Sequence, residues 1–229
     1  MLEIWYGGTF DPVHNGHLAI ARAAAELFEV PVTLAPAADP PHRPRPGADA
    51  QQRARMLDLA VAGDPRLRVD RRELHRAGPS WTVDTLRELR AERGAEAPLA
   101  LLLGADSFRS LPTWRHWRQL PTLAHFIVAG RIDQGDVAQL PEPPELTAAF
   151  AGRWQQAPVQ LAAMPAGLAY HLRQPLRAES ATAVRQAIAC GAPAWRGWLP
   201  AAVAAQIQAE GLYGAGAGTD AASAGEPRP

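Results

Sequence analysis

The sequence predicts an α/β fold in which helices cover both faces of one parallel sheet. Three observations predict it. Apolar runs of strand length alternate with longer helical stretches along the 229 residues, as crossover-connected parallel strands require. The apolar run Leu2, Ile4, Trp5, Tyr6 passes through a glycine-containing stretch into residues 19–28, whose Ala and Leu content suits a helix. Residues 99–103, Leu-Ala-Leu-Leu-Leu, are continuously apolar, as a strand buried on both faces is, and end in Gly104-Ala105-Asp106-Ser107. Two such strand-to-helix crossings define a Rossmann-like, doubly wound sheet of order 3-2-1-4-5, expected as a single domain over residues 1–213 with C-terminal helices.

The first crossing, Gly7-Gly8-Thr9-Phe10-Asp11-Pro12-Val13-His14-Asn15-Gly16-His17-Leu18, organises the chain. Such a turn exposes backbone N–H groups beside a helix start that carries partial positive charge, so phosphate is the expected guest. Gly7 and Gly8 present no side chain to block an approach to the backbone, and Thr9 adds a hydroxyl donor. His14 and His17 are three residues apart at the first helical turn, where both imidazoles lean over one anion, and Gly16 leaves room between them. Two blander readings compete: the glycines as a tight turn only, and the histidines as zinc ligands. Zinc needs three or four ligands, and the single cysteine, Cys190, is far along the chain. A Walker A loop is excluded because the sequence has no lysine.

Residues 30–36 read as the second strand. The loop that follows, 37–47, holds four prolines that forbid regular pairing and present His42, Arg43 and Arg45 on a semi-rigid arm. It is a solvated linker by composition, whereas its place after a strand's C-terminal end favours a substrate loop. A packing helix over 50–62 stops at Gly63-Asp64-Pro65, and 67–70 alternates as the third strand. Ser80 or Thr82 would cap the helix through Val83, Leu86 and Leu89; capping alone explains both hydroxyls, and the alternative is that they place backbone donors where a substrate carboxylate can sit.

The fourth strand, 99–103, is expected beside the first, its loop facing residues 7–17 across the switch point. There Asp106 caps a helix at Ser107, accepts from ribose hydroxyls, or both. In residues 111–117, Trp114 or Trp117 is either core or an indole face that stacks on a flat heterocycle for roughly 1 to 3 kcal/mol. Residues 125–129 are the fifth strand, 131–157 a connection without identifiable chemistry, and 170–173 a sixth strand. In the 179–185 segment, Ser180, Thr182 and Arg185 at a helix start form a phosphate clamp, or else an N-cap with a surface arginine. A last helix spans 200–210, and Gly, Ala, Ser and Pro from 214 to 229 predict a disordered tail.

Twenty-three basic and 23 acidic residues cancel, so no general attraction to nucleic acid or membrane is expected. Every basic residue other than histidine is arginine, which excludes a lysine nucleophile or Schiff base, and one cysteine excludes an intrachain disulfide. With no leader pattern and no apolar run of spanning length, a cytoplasmic protein is expected. The sequence leaves the oligomeric state open.

Several of these segments together resemble the bacterial nicotinate-nucleotide adenylyltransferases of the nucleotidylyltransferase superfamily. The carriers are the opening signature with its His-x-Gly-His element, Pro40-Pro41-His42-Arg43, Gly78-Pro79-Ser80-Trp81-Thr82-Val83-Asp84-Thr85-Leu86, Gly104-Ala105-Asp106-Ser107, Leu111-Pro112-Thr113-Trp114, Ser180-Ala181-Thr182-Ala183-Val184-Arg185 and Gly211-Leu212-Tyr213. The resemblance implies an enzyme that joins ATP to nicotinate mononucleotide, giving nicotinate adenine dinucleotide and pyrophosphate in NAD biosynthesis. It implies Mg²⁺ carried on the ATP phosphates, with no protein-held metal. His14 and His17 would be the catalytic pair. Gly7, Gly8, Thr9, Phe10, Gly104, Asp106, Ser180, Thr182 and Arg185 would bind ATP, and His42, Arg43, Thr82, Trp114 and Arg115 the mononucleotide. The pattern departs from the commonest one at Trp81, where tyrosine is usual, at Arg43, where lysine is common, at Glu179-Ser180-Ala181-Thr182, where Ile-Ser-Ser-Thr is typical, and at Trp198, where tyrosine is usual. Two other readings stay open: a sibling adenylyltransferase using nicotinamide mononucleotide or phosphopantetheine, and a nucleotide-sensing module that kept the fold without turnover.

Overall fold

A computed structural model describes residues 1–38, 46–130, 143–173 and 179–216. In chain order its elements are β1 (Glu3–Gly8), α1 (Asn15–Phe28), β2 (Val32–Pro36), α2 (Ala50–Val61), β3 (Leu67–Val69), α3 (Thr82–Arg93), β4 (Leu99–Gly104) and α4 (Ala105–Arg109). Then come α5 (Leu120–Leu123), β5 (His125–Ala129), α6 (Pro144–Ala149), β6 (Trp154–Gln155), α7 (Val159–Ala162), β7 (Ala169–Leu172), α8 (Ala181–Ala189) and α9 (Ala201–Ala209). Short 3-10 turns join several of them.

The strands form one parallel sheet of order β3-β2-β1-β4-β5-β7-β6. The 3-2-1-4-5 core is as expected, and the strand expected at 170–173 follows it as β7, over Ala169–Leu172. Beyond it lies a seventh strand, β6, inside the span read as a connection. Two residues carry no period-two signal, so only the pairings Trp154↔Ala169 and Gln155↔Tyr170 reveal it.

Side chains alternate between the two faces of the sheet and build a core on each. From β1, Ile4 and Tyr6 enter one cluster with α1, α2, α8 and α9, while Trp5 enters the other with α3 and α4. β4 divides likewise, with Ala100 and Leu102 on the first face and Leu99, Leu101 and Leu103 on the second. A continuous apolar run is therefore the signature of burial on both faces, each fully buried leucine contributing roughly 1.5–3 kcal/mol.

Helix ends follow local chemistry. Asp49 Oδ1 accepts from Gln52 N at 2.8 Å and Gln52 Oε1 from Asp49 N at 2.9 Å, a reciprocal box that starts α2. Gly94, at φ 89°, ends α3. The caps expected at Ser80 and Thr82 are absent: Trp81 holds the N-cap position of α3 with no side-chain hydrogen bond, Thr82 is the first helical residue, and Ser80 Oγ donates instead to Glu73 O at 3.3 Å. Asp106 likewise does not cap; it sits within α4, paired to Arg109, behind an N-cap at Gly104. The glycine pair is not a tight turn, because Gly7 and Gly8 are paired with Ala35 and Pro36 as the last residues of β1. His42, Arg43 and Arg45 fall outside the described residues, as does the expected tail from 217 onward. The chain before it stays packed to Ala215, past the expected start of the tail at 214, with Ala215 N donating to Leu212 O at 3.0 Å.

Candidate active site

The C-terminal ends of β1 and β4 diverge at the switch point and open a cleft of about 650 Å³. Its walls hold Gly7, Gly8, Thr9 and Phe10 from the first crossing, Gly104 and Asp106 from the second, Thr82 from the start of α3, Trp114 from the connection after α4, and Ser180, Thr182 and Arg185 from the N-cap and first turns of α8.

At the base, Phe10 adopts φ 49° and is only 2 % exposed. Its ring meets Tyr6 edge-on at 5.5 Å and His17 edge-on at 5.0 Å, so it braces the histidine from beneath. Gly8 is needed for this packing: a Cβ there would lie 3.0 Å from the Phe10 ring. His14 is the N-cap residue of α1 and His17 stands one turn into it. Gly16 is needed for a similar reason, since its Cβ would lie 3.0 Å from His14 Cε1 and Nδ1.

On the facing wall, Ser180 caps α8 by accepting from Ala183 N at 3.1 Å. Arg185 Nη2 donates to Thr182 Oγ1 at 3.3 Å and Nη1 to the Asp11 carbonyl at 2.6 Å, which brings the guanidinium to the cleft from one turn along the helix. The N-cap is thus Ser180 alone, with Thr182 and Arg185 beside it on the cleft wall. Across the switch point α3 starts without a side-chain cap, which leaves its first N–H groups for another acceptor beside Thr82. Trp114 is half-buried at the rim. Arg115, expected beside it, is exposed, with its guanidinium 5.5 Å over the Trp81 ring.

A family model described as cytidylyltransferase-like matches residues 5–187. A curated relative from Stenotrophomonas maltophilia (strain K279a), "Probable nicotinate-nucleotide adenylyltransferase", is 54% identical over 217 residues, covering 93% of this chain and 96% of the relative. The chain belongs to the nicotinate-nucleotide adenylyltransferase family. A second relative of that name, from Marinobacter nauticus (strain ATCC 700491 / DSM 11845 / VT8), is 43% identical over 215 residues, covering 93% of this chain and 97% of the relative. Among solved structures, Plasmodium falciparum nicotinic acid mononucleotide adenylyltransferase complexed with NaAD shares the fold at a TM-score of 0.68 and 14% identity, over 93% of this chain and 97% of that one.

Three residues of this family member escaped the sequence reading: Asp11 and Glu73 on the cleft wall, and Arg53 outside its lining. Asp11, given no role of its own in the sequence reading, accepts from Gly47 N at 2.8 Å, Ala48 N at 3.1 Å and Tyr213 Oη at 2.7 Å. Arg53, not singled out in the sequence reading, is fully buried and donates to the carbonyls of Ala48, Thr9, Ala37 and Ala38. Glu73, on the cleft wall, accepts from Thr85 Oγ1 at 2.8 Å. Burial pushes its carboxyl above the ordinary range, and the Thr85 hydroxyl partly opposes this.

Proposed function

We propose that this chain transfers AMP from ATP to nicotinate mononucleotide, releasing pyrophosphate and forming nicotinate adenine dinucleotide. A phosphate oxygen of the mononucleotide attacks the α-phosphorus of ATP; the new P–O bond forms as the bond to the β-phosphate oxygen breaks, and pyrophosphate leaves opposite the entering oxygen. No protein nucleophile takes part, so catalysis rests on positioning and on donors aimed at developing charge. The observation that carries the reading is the placement of His14 and His17, at the helix start, in one cleft with Ser180, Thr182 and Arg185 on one side and Thr82 and Trp114 on the other. The His14–His17 pair holds the α- and β-phosphates, Arg185 with Thr182 and Ser180 the outer phosphates, and Gly104 and Asp106 the ribose. Gly7, Gly8, Thr9 and Phe10 form the floor under ATP. Trp114 stacks on the pyridine ring, and backbone N–H groups beside Thr82 and Arg115 receive the nicotinate carboxylate. Donors facing that position favour acid over amide, because an amide NH₂ would set donor against donor. His42 and Arg43 are assigned to the mononucleotide phosphate on the resemblance alone.

Among the described residues no three His, Cys, Asp or Glu side chains are grouped to hold a metal ion, and Asp11 and Asp106 are engaged by other partners. Mg²⁺ would be carried on the ATP phosphates, where it would supply charge neutralisation. No helix among the described residues is long and apolar enough to cross a membrane. Cytoplasmic residence is part of the same proposal.

The test is pyrophosphate release with ATP and Mg²⁺, comparing nicotinate mononucleotide, nicotinamide mononucleotide and phosphopantetheine as acceptors. Fast release with the first, lost in His17→Ala, supports the reading. Preference for either other acceptor moves the chain to a sibling activity, and ATP binding without turnover makes it a sensor.

A further inference from the structure

Tyr213 and Asp11 lie 202 positions apart, yet the phenol donates to Asp11 Oδ1 at 2.7 Å. Three observations make this more than a chance surface contact. Tyr213 adopts φ 58°, a left-handed conformation that a bulky residue holds only where its surroundings impose it. Its ring packs on Gly47, where an added Cβ would lie 2.9 Å from Cδ1 and Cε1. And the Asp11 carboxylate it meets is surrounded by donors: Gly47 N, Ala48 N, and Arg185 Nη1, which lies 3.7 Å from Oδ2 while bonding the Asp11 carbonyl. Burial and the adjacent Asp11 charge push the phenol well above its ordinary value, so it remains a donor.

A carboxylate and a guanidinium this close tend toward a bidentate pair. Here that pair does not form. Tyr213 and the two backbone N–H groups occupy the carboxylate, and Arg185 is left with one bond to the Asp11 main chain and one to Thr182. We propose that Tyr213 is a positioning residue: by occupying Asp11 through its hydroxyl, it keeps the Arg185 guanidinium turned to the cleft to meet the ATP phosphates. The inference rests on the assignment of Arg185 to ATP made above. It places the end of the described chain in control of the phosphate side of the cleft.

The test is a double-mutant cycle of Tyr213→Phe and Arg185→Gln in the full chain. It is read by ATP affinity in calorimetry without acceptor, by KM for each substrate in pyrophosphate release, and by Tm. Tyr213→Phe should weaken ATP binding and raise its KM about tenfold, the scale of one hydrogen bond to a charged group. It should leave the KM for nicotinate mononucleotide nearly unchanged, lower Tm by the few degrees that loss of one hydrogen bond costs, and have no further effect on ATP affinity once Arg185 is glutamine. Unchanged ATP affinity, additive effects in the double variant, or equal rises in both KM values with a lowered Tm would each overturn it. Should Tyr213→Phe fail to fold, Gly47→Ala displaces the ring by contact and is read through the same cycle. A wild type that binds ATP yet releases no pyrophosphate refutes the proposed reaction, while the calorimetric cycle still judges this inference.

Discussion

His14 and His17 stack face to face, with ring centroids 3.7 Å apart and planes 28° from parallel, and the main-chain N–H of His14 donates to His17 Nδ1 at 3.3 Å. A nitrogen that accepts carries no proton, so neutral His17 holds its ring hydrogen on Nε2 and offers a donor there. The helix start fixes both the tautomer and the direction of that donor. Removing it should cost what removal of other preorganised oxyanion donors costs. His17→Ala is expected to lower kcat by about 10² to 10³. Steady-state pyrophosphate release at saturating substrates measures it, and a loss below tenfold would remove His17 from the catalytic role.

Gly16 sets up a separable test. A methyl there meets His14 at 3.0 Å and the Glu179 carbonyl at 3.4 Å. Within a helix, alanine in place of glycine gains roughly 0.5–1 kcal/mol, which offsets the crowding in the stability balance but not in the position of the ring. If His14 acts on the phosphates as proposed, Gly16→Ala should therefore keep a near-wild-type Tm while kcat falls at least about tenfold, because small displacements of a reacting group are costly. Equal losses of both would point to a packing role alone.

Arg53 shows what the sequence hides. The first crossing was legible because its glycines and histidines stand at consecutive positions between an apolar strand and an Ala-rich helix. Residues 99–103 were legible because burial on both faces leaves an unbroken apolar run. Arg53 looks like any charge on an amphipathic helix, yet it is fully buried and bonds the carbonyls of Thr9, Ala37, Ala38 and Ala48, three separate stretches of chain. Asp11 and Tyr213 are hidden for the same reason, since their partners are distant in sequence. The missing caps at Ser80 and Thr82 have another cause: the Ser80 hydroxyl is drawn to Glu73, a tertiary partner that local propensity does not register. Arg53→Met removes a buried fork from carbonyls that lose their donor, and should lower unfolding free energy by about 2–4 kcal/mol. Arg53→Lys, which keeps charge but not the fork, should fall between it and wild type in urea unfolding.

His125 makes stability depend on pH. It is fully buried, with Nδ1 accepting from Leu168 N at 3.0 Å and Nε2 2.8 Å from Met164 O, which ties β5 to the loop before β7 in the neutral form. Burial holds its pKa below the ordinary 6.5. Above 6.5 both folded and unfolded states are neutral, and the contribution is complete. As pH falls below 6.5 the unfolded chain takes up the proton first, so stability declines down to the folded value and then levels off. Unfolding free energy measured from pH 8 to pH 5 should fall accordingly, with a shallower slope in His125→Gln, whose amide keeps a donor and an acceptor without titrating. Parallel slopes in the two proteins would assign the pH dependence to other groups.

Ser180 separates a structural from a ligand role at one atom. Its Oγ caps α8 by accepting from Ala183 N at 3.1 Å, and the same residue lines the cleft where the outer phosphates are proposed to sit. Ser180→Ala removes both functions and should cost about 1 kcal/mol of stability together with ATP affinity. Ser180→Asp distinguishes them. Aspartate caps helix starts as well as serine and its charge favours the helix dipole, so Tm should stay at or near the wild-type value. The same charge faces the phosphates and repels them, so KM for ATP should rise more than in Ser180→Ala, while KM for nicotinate mononucleotide changes little. If Ser180→Asp instead binds ATP as wild type does, the Ser180 hydroxyl serves the helix alone and the phosphate clamp reduces to Thr182 and Arg185.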